Sequence, residues 1–106
     1  MSEYSKEELE IQLNSADKDV AIDALMYLCF NIADPEWIQG KCIEAIENGK
    51  DEDVRGLGIT CIGHVARMHS QINRGKLMPV LEKCLKDPTL SGRAEDALQD
   101  IEMFIK

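Results

Sequence analysis

Cys61 and His64 stand three residues apart, a spacing that brings two side chains to one arc of a helix. An imidazole beside a thiol is an arrangement that activates a cysteine nucleophile. That chemistry also needs a third group to orient the base and donors to hold a developing oxyanion. The neighbourhood of this pair supplies neither, so the chain is read as a protein without enzymatic activity. Cys29, Cys42 and Cys84 are the other thiols, and no two of the four have the close spacing of a zinc site. They read as small buried hydrophobes in a reducing compartment. No metal and no cofactor is expected.

The elements that carry these residues follow from a repeat. Asp17-Lys18-Asp19-Val20 and Asp51-Glu52-Asp53-Val54 are near-copies 34 residues apart, and a period of this size marks stacked supersecondary units. With Val20 laid on Val54, Ala24 falls on Gly58, Leu25 on Ile59 and Leu28 on Ile62. A weaker third copy starts at Asp87 and lays Ala94 on Gly58 and Leu98 on Ile62. Each copy is preceded by another apolar-periodic segment, so the unit is a pair of helices. Boundary signals give six helices, at about 5–14, 17–32, 35–48, 51–68, 74–86 and 89–105. Ser5 and Glu8 have capping-box spacing, Asp34-Pro35 places an acceptor before a first-turn proline, and Asn48-Gly49 reads as a left-handed stop. Pro79 implies that the fifth helix starts near Lys76 or is kinked. The stretch from His69 to Gly75 reads as a loop. No segment alternates with period two long enough to be a strand.

Charge is unevenly spread along this single domain of 106 residues with net charge −8. Residues 1–36 hold nine carboxylates against two lysines, whereas 54–86 hold six basic side chains against Glu82 alone. Such a balance disfavours nucleic acid, whose binding needs phosphates neutralised by Lys and Arg, and disfavours an anionic membrane surface. A basic protein partner is expected, because an acidic face accelerates that encounter. The N-terminus is acidic and polar, unlike a signal peptide, and no apolar run approaches the roughly 20 residues that span a bilayer. A cytoplasmic location is the expectation.

Paired helices with aspartates at the turn, the Val54-Arg55 step, small residues in mid-helix and Ile62-Gly63 together resemble the HEAT-repeat family. The resemblance covers nearly the whole chain and implies an all-α fold. Three antiparallel α-hairpins, about 5–33, 35–69 and 74–105, would stack as a short right-handed solenoid with the second helices lining a protein-binding surface. Arg55 stands at the family's characteristic arginine position, where Ala21 and Ser91 occupy the other copies. In type, a small acidic helical domain without chemistry also resembles the immunity proteins that bacteria pair with secreted toxins, many of them nucleases with basic clefts. The resemblance implies 1:1 binding that occludes a toxin's active site. A HEAT-type scaffold or adaptor is the alternative reading, and a lyase-like enzyme the last.

The second helix supplies the candidate contact face. From Val20 to Ala33 only Asp23 and Asn31 interrupt an apolar run, giving one stripe of Ala21, Leu25, Leu28 and Ile32 and another of Ile22, Met26, Cys29 and Phe30. The first stripe packs on neighbouring helices, and the second is expected to be core as well. If instead it is partly exposed, it forms a contact patch beside Asp19, Asp23 and Tyr27. The protein-binding residues are then Asp19, Asp23, Tyr27 and Phe30, extended by Arg55, His64 and Met68 of the fourth helix. Asp19 and Asp23 would pair with Lys or Arg, Tyr27 and Phe30 would anchor by burial, and the others would set register. Trp37 is expected to pack structurally, with its indole N–H at the rim.

Overall fold

Acceptor side chains mark where the first five helices begin. The computed structural model describes residues 4–49 and 51–105, which form α1 (Lys6–Leu13), α2 (Lys18–Asn31), α3 (Pro35–Asn48), α4 (Glu52–His69), α5 (Arg74–Leu85) and α6 (Ser91–Phe104). No strand occurs among the described residues, so the fold is all-α. Ser5 and Glu8 form the expected capping box, and Asp34 accepts from the Trp37 N–H ahead of Pro35. The three repeat aspartates make one and the same bond. Each carboxylate accepts from the N–H two residues on, Asp17 from Asp19 at 2.9 Å, Asp51 from Asp53 at 2.8 Å and Asp87 from Thr89 at 2.9 Å. After Asp87 one extra turn intervenes, because its carbonyl accepts from both Leu90 and Ser91. Helix α6 therefore starts later than the repeat predicts.

Two stop signals differ from expectation. Gly49 is extended (φ −62°, ψ 134°) and not left-handed. The left-handed residue among those described is Ser70 at φ 50°, which closes α4 with its N–H on the Ala66 carbonyl. Pro79 lies inside α5, which begins at Arg74 and so earlier than Lys76. Its missing N–H leaves the Gly75 carbonyl without a helical partner. Gly75 is exposed, where water can satisfy that oxygen.

Packing joins the helices in pairs. Helix α1 lies on α2, α3 on α4 and α5 on α6, while α4 also packs between α2 and α6. Close approach at α4 depends on two glycines. A Cβ at Gly58 would meet the Cys42 carbonyl and Ile46 Cγ1 of α3 at 3.1 Å, and one at Gly63 would lie 2.5 Å from the Asp100 carboxylate of α6. The core includes Leu25, Leu28, Ile38, Ile59, Ile62, Leu77, Leu81 and Ile101. Trp37 is half-buried as expected, with Lys6 Nζ 5.3 Å and Lys41 Nζ 5.6 Å from its ring centre. These cations also reach Asp34 (2.6 Å) and Glu10 (3.0 Å), tying α1 to α3. Buried Gln39 accepts from the Asn73 N–H at 2.7 Å and so anchors the start of α5.

Candidate functional site

Residues 19, 23, 26 and 30 recur at the spacing of one helical face, and on α2 this is the face that the core leaves open. Ala21, Ala24, Leu25, Leu28 and Cys29 are buried. Asp19 and Asp23 are exposed, Met26 is 45% exposed and Phe30 50%. The second apolar stripe of α2 therefore splits: Cys29 is core, Ile22 is half-buried, and Met26 and Phe30 are surface. The expectation that this stripe is wholly core is corrected. The reason is geometric, since α4 buries Cys29 fully, covers about half of Phe30 and leaves Met26 to the surface.

Helix α4 continues the strip. The Phe30 ring lies against the His64 imidazole, with centroids 5.1 Å apart and planes tilted by 54°. Met68, one turn beyond His64, is 49% exposed. The Arg67 guanidinium contacts His64 Nδ1 and reaches Asp100 Oδ2 of α6 at 3.2 Å. Burial lowers the His64 pKa, the Arg67 charge lowers it further, and Asp100 opposes both. The imidazole is thereby biased toward its neutral form.

Two of the proposed strip residues lie elsewhere. Tyr27 turns toward α1, where its ring meets Tyr4 edge-on at 5.1 Å and its hydroxyl accepts from the Tyr4 N–H at 3.4 Å. Arg55 precedes His64 by nine residues, two and a half helical turns, and so points to the opposite side of α4. There its Nε donates to the Ile46 carbonyl at 2.8 Å and its guanidinium lies 4.0 Å from Asp87. Its placement in the strip is corrected. Asp19, Asp23, Phe30, His64 and Met68 do share one surface. Met26 joins them, and its position between Asp23 and Phe30 on the helical face was the available signal. Arg67 and Asp100 were missed because nothing local in the sequence pairs residues on different helices.

Charges around the strip are unequal. Lys18 is engaged by Asp53 at 3.1 Å and Asp51 at 3.7 Å. Among the described residues neither Asp19 nor Asp23 stands in an ion pair, so both carboxylates are open to a cation. The thiols behind the strip are quiet. Cys29 Sγ donates to the Cys61 carbonyl at 3.7 Å and Cys61 Sγ to the Leu25 carbonyl at 4.0 Å. The Cys29 thiol is pushed up by its bond to Cys61 and by burial. At Cys61 the bond with Cys29 acts downward, but contact with Cys42 and burial outweigh it. Cys61 thus bonds within the seam of α2 and α4, whereas His64 contacts Arg67 and Phe30.

The fold is similar to that of a solved structure. A chain in the crystal structure of a CDI complex from Cupriavidus taiwanensis LMG 19424 superimposes with a TM-score of 0.84 at 24% identity, covering 97% of this chain and 92% of that one. No family model matches the sequence, and no curated protein matches it. Among the described residues no helix is long and apolar enough to cross a membrane.

Proposed function

We propose that this chain is an immunity protein, a binding domain that occludes the active site of a cognate bacterial toxin in a contact-dependent inhibition system. The observation that carries the reading is the likeness, over nearly the full length of both, to a chain of a CDI complex. Two properties favour the inhibitor's side of such a complex over the toxin's. All four thiols are buried, and those of Cys29, Cys61 and Cys84 are pushed toward the protonated form, which suits a protein without chemistry of its own. The net charge of −8 suits a basic cleft built for nucleic acid. The toxin is accordingly read as a basic nuclease, bound 1:1 in the cytoplasm. The helix pairs are read as a short right-handed HEAT-like stack whose second helices, α2, α4 and α6, face the partner.

Binding is assigned to Asp19, Asp23, Met26, Phe30, His64 and Met68. The two aspartates pair with Lys or Arg, Met26 and Phe30 are covered on binding, and His64 with Met68 sets register. Tyr27 and Arg55 support helix packing instead. Affinity capture from the native cell with the full chain as bait, followed by mass spectrometry and a nuclease assay of the captured protein, tests this. A stoichiometric partner whose nuclease activity disappears at one equivalent is expected. A partner that stays active when bound, or none at stoichiometric yield, would shift the reading to a HEAT-type adaptor.

A further inference from the structure

We infer that His64 offers the partner a donor of fixed position, its Nε2–H, and that the group it receives is an uncharged carbonyl oxygen. The inference deepens the proposed function and rests on it. A guanidinium has five N–H donors and no acceptor, so the His64 nitrogen that Arg67 touches, Nδ1, must offer a lone pair. The ring proton of the neutral imidazole is then on Nε2. No protein group among the described residues bonds that nitrogen, and it is not among the buried polar atoms that lack a partner. It is open to solvent at the strip's surface.

The arrangement behind the ring is built to hold it. Asp100 of α6 fixes Arg67 across the gap between α4 and α6, and the missing side chain at Gly63 leaves room for the Asp100 carboxylate. Phe30 of α2 also packs on the ring. Arg67 is therefore a positioning residue. The charged groups that bear on the imidazole are Arg67 of α4 and Asp100 of α6, while α2 contributes the uncharged Phe30. Protonation at Nδ1 would set two cations together and break the contact. Asp100 offsets the Arg67 charge, so Asp19 and Asp23 set the sign along this surface; they would repel a partner carboxylate but not a main-chain or amide carbonyl.

Two measurements separate this inference from the reading beneath it. In the free protein, long-range proton–nitrogen NMR with labelled histidine should show a neutral His64 ring carrying its proton on Nε2. The Arg67→Met variant should mix the tautomers and raise the pKa. A ring protonated on Nδ1, or a tautomer unchanged by Arg67→Met, overturns the inference even if a toxin is neutralised. With the captured partner, His64→Gln places an amide N–H near the Nε2 position and should retain affinity within about threefold. His64→Asn places it near Nδ1 and should lose about tenfold or more. Equal losses in the two variants remove the donor role and leave the immunity reading intact. If no neutralised toxin is found, that reading fails and this inference falls with it, whatever the tautomer.

Discussion

Truncating Phe30 to alanine should weaken partner binding by roughly 60-fold. A phenylalanine side chain presents about 200 Å², and half of it is exposed in the free protein. About 100 Å² therefore remains for a partner to cover. At about 25 cal/mol per Å² this is ~2.5 kcal/mol, and about 1.4 kcal/mol corresponds to tenfold in Kd. The other half of the ring is already buried, partly against His64, so the variant also loses up to about 2.5 kcal/mol of stability by the same conversion. The two effects need separate assays. Calorimetric titration of the captured toxin gives Kd, and a urea melt of the free variant gives the folding cost. Salt separates the mechanism further. Loss of an apolar contact leaves the salt dependence of association unchanged, whereas loss of a carboxylate flattens it. A Kd within threefold of the parent, measured on a variant that remains folded, would refute the assignment of this surface.

Other outcomes follow from separate features. Asp19→Lys combined with Asp23→Lys should leave helicity and melting almost unchanged and reduce affinity about tenfold or more, mainly through a slower and less salt-sensitive on-rate; stopped-flow association across a salt series checks this. Asp34 has its carboxyl held below the ordinary value by the hydrogen bond from Lys6 and then by the Trp37 N–H. Its folded pKa is depressed, so the linked stability is present above the unfolded value and lost as pH falls through the folded one. Lys6→Met should move the Asp34 pKa upward in a carbon-detected NMR titration; an unmoved pKa would assign the shift to the helix start alone. Ser70→Gly should stabilise the domain by about 0.5 kcal/mol, since a left-handed non-glycine residue costs about 1–2 kcal/mol and glycine returns about 0.5–1 in chain entropy. Thermal melting reads it, and a fall in Tm would show that the serine side chain matters there.

Helix starts were legible in the sequence because they depend on side chains within a few residues. Ser5, Asp17, Asp34 and Asp51 each cap a helix as their local context implies. The apolar period likewise named most of the core. What could not be read is what depends on a neighbour's position. Phe30 and Cys29 are adjacent and both apolar, yet only the placement of α4 decides that the thiol is fully covered and the ring by half. Arg55 was grouped with His64 by helix, although nine residues separate them by half a turn beyond two full ones. Ser70 carries no mark of a left-handed residue, and Gly49 carries a false one; in both, chain direction on leaving the helix is set by the next helix. The Arg67–Asp100 pair spans 33 positions, beyond any local pattern.

Helix α4 also has a consequence for how the molecule comes apart. It packs against α2, α3 and α6, yet it carries Gly56, Gly58 and Gly63, each about 1 kcal/mol poorer than alanine as a helix former. On its own such a segment has little reason to wind, so its helicity is lent by the neighbours it joins. Losing any one of them loosens the element that holds the other two. Amide exchange across α2, α4 and α6 should then follow a single opening rather than a ladder of partial ones, and the strip that meets the partner persists only while the whole domain does.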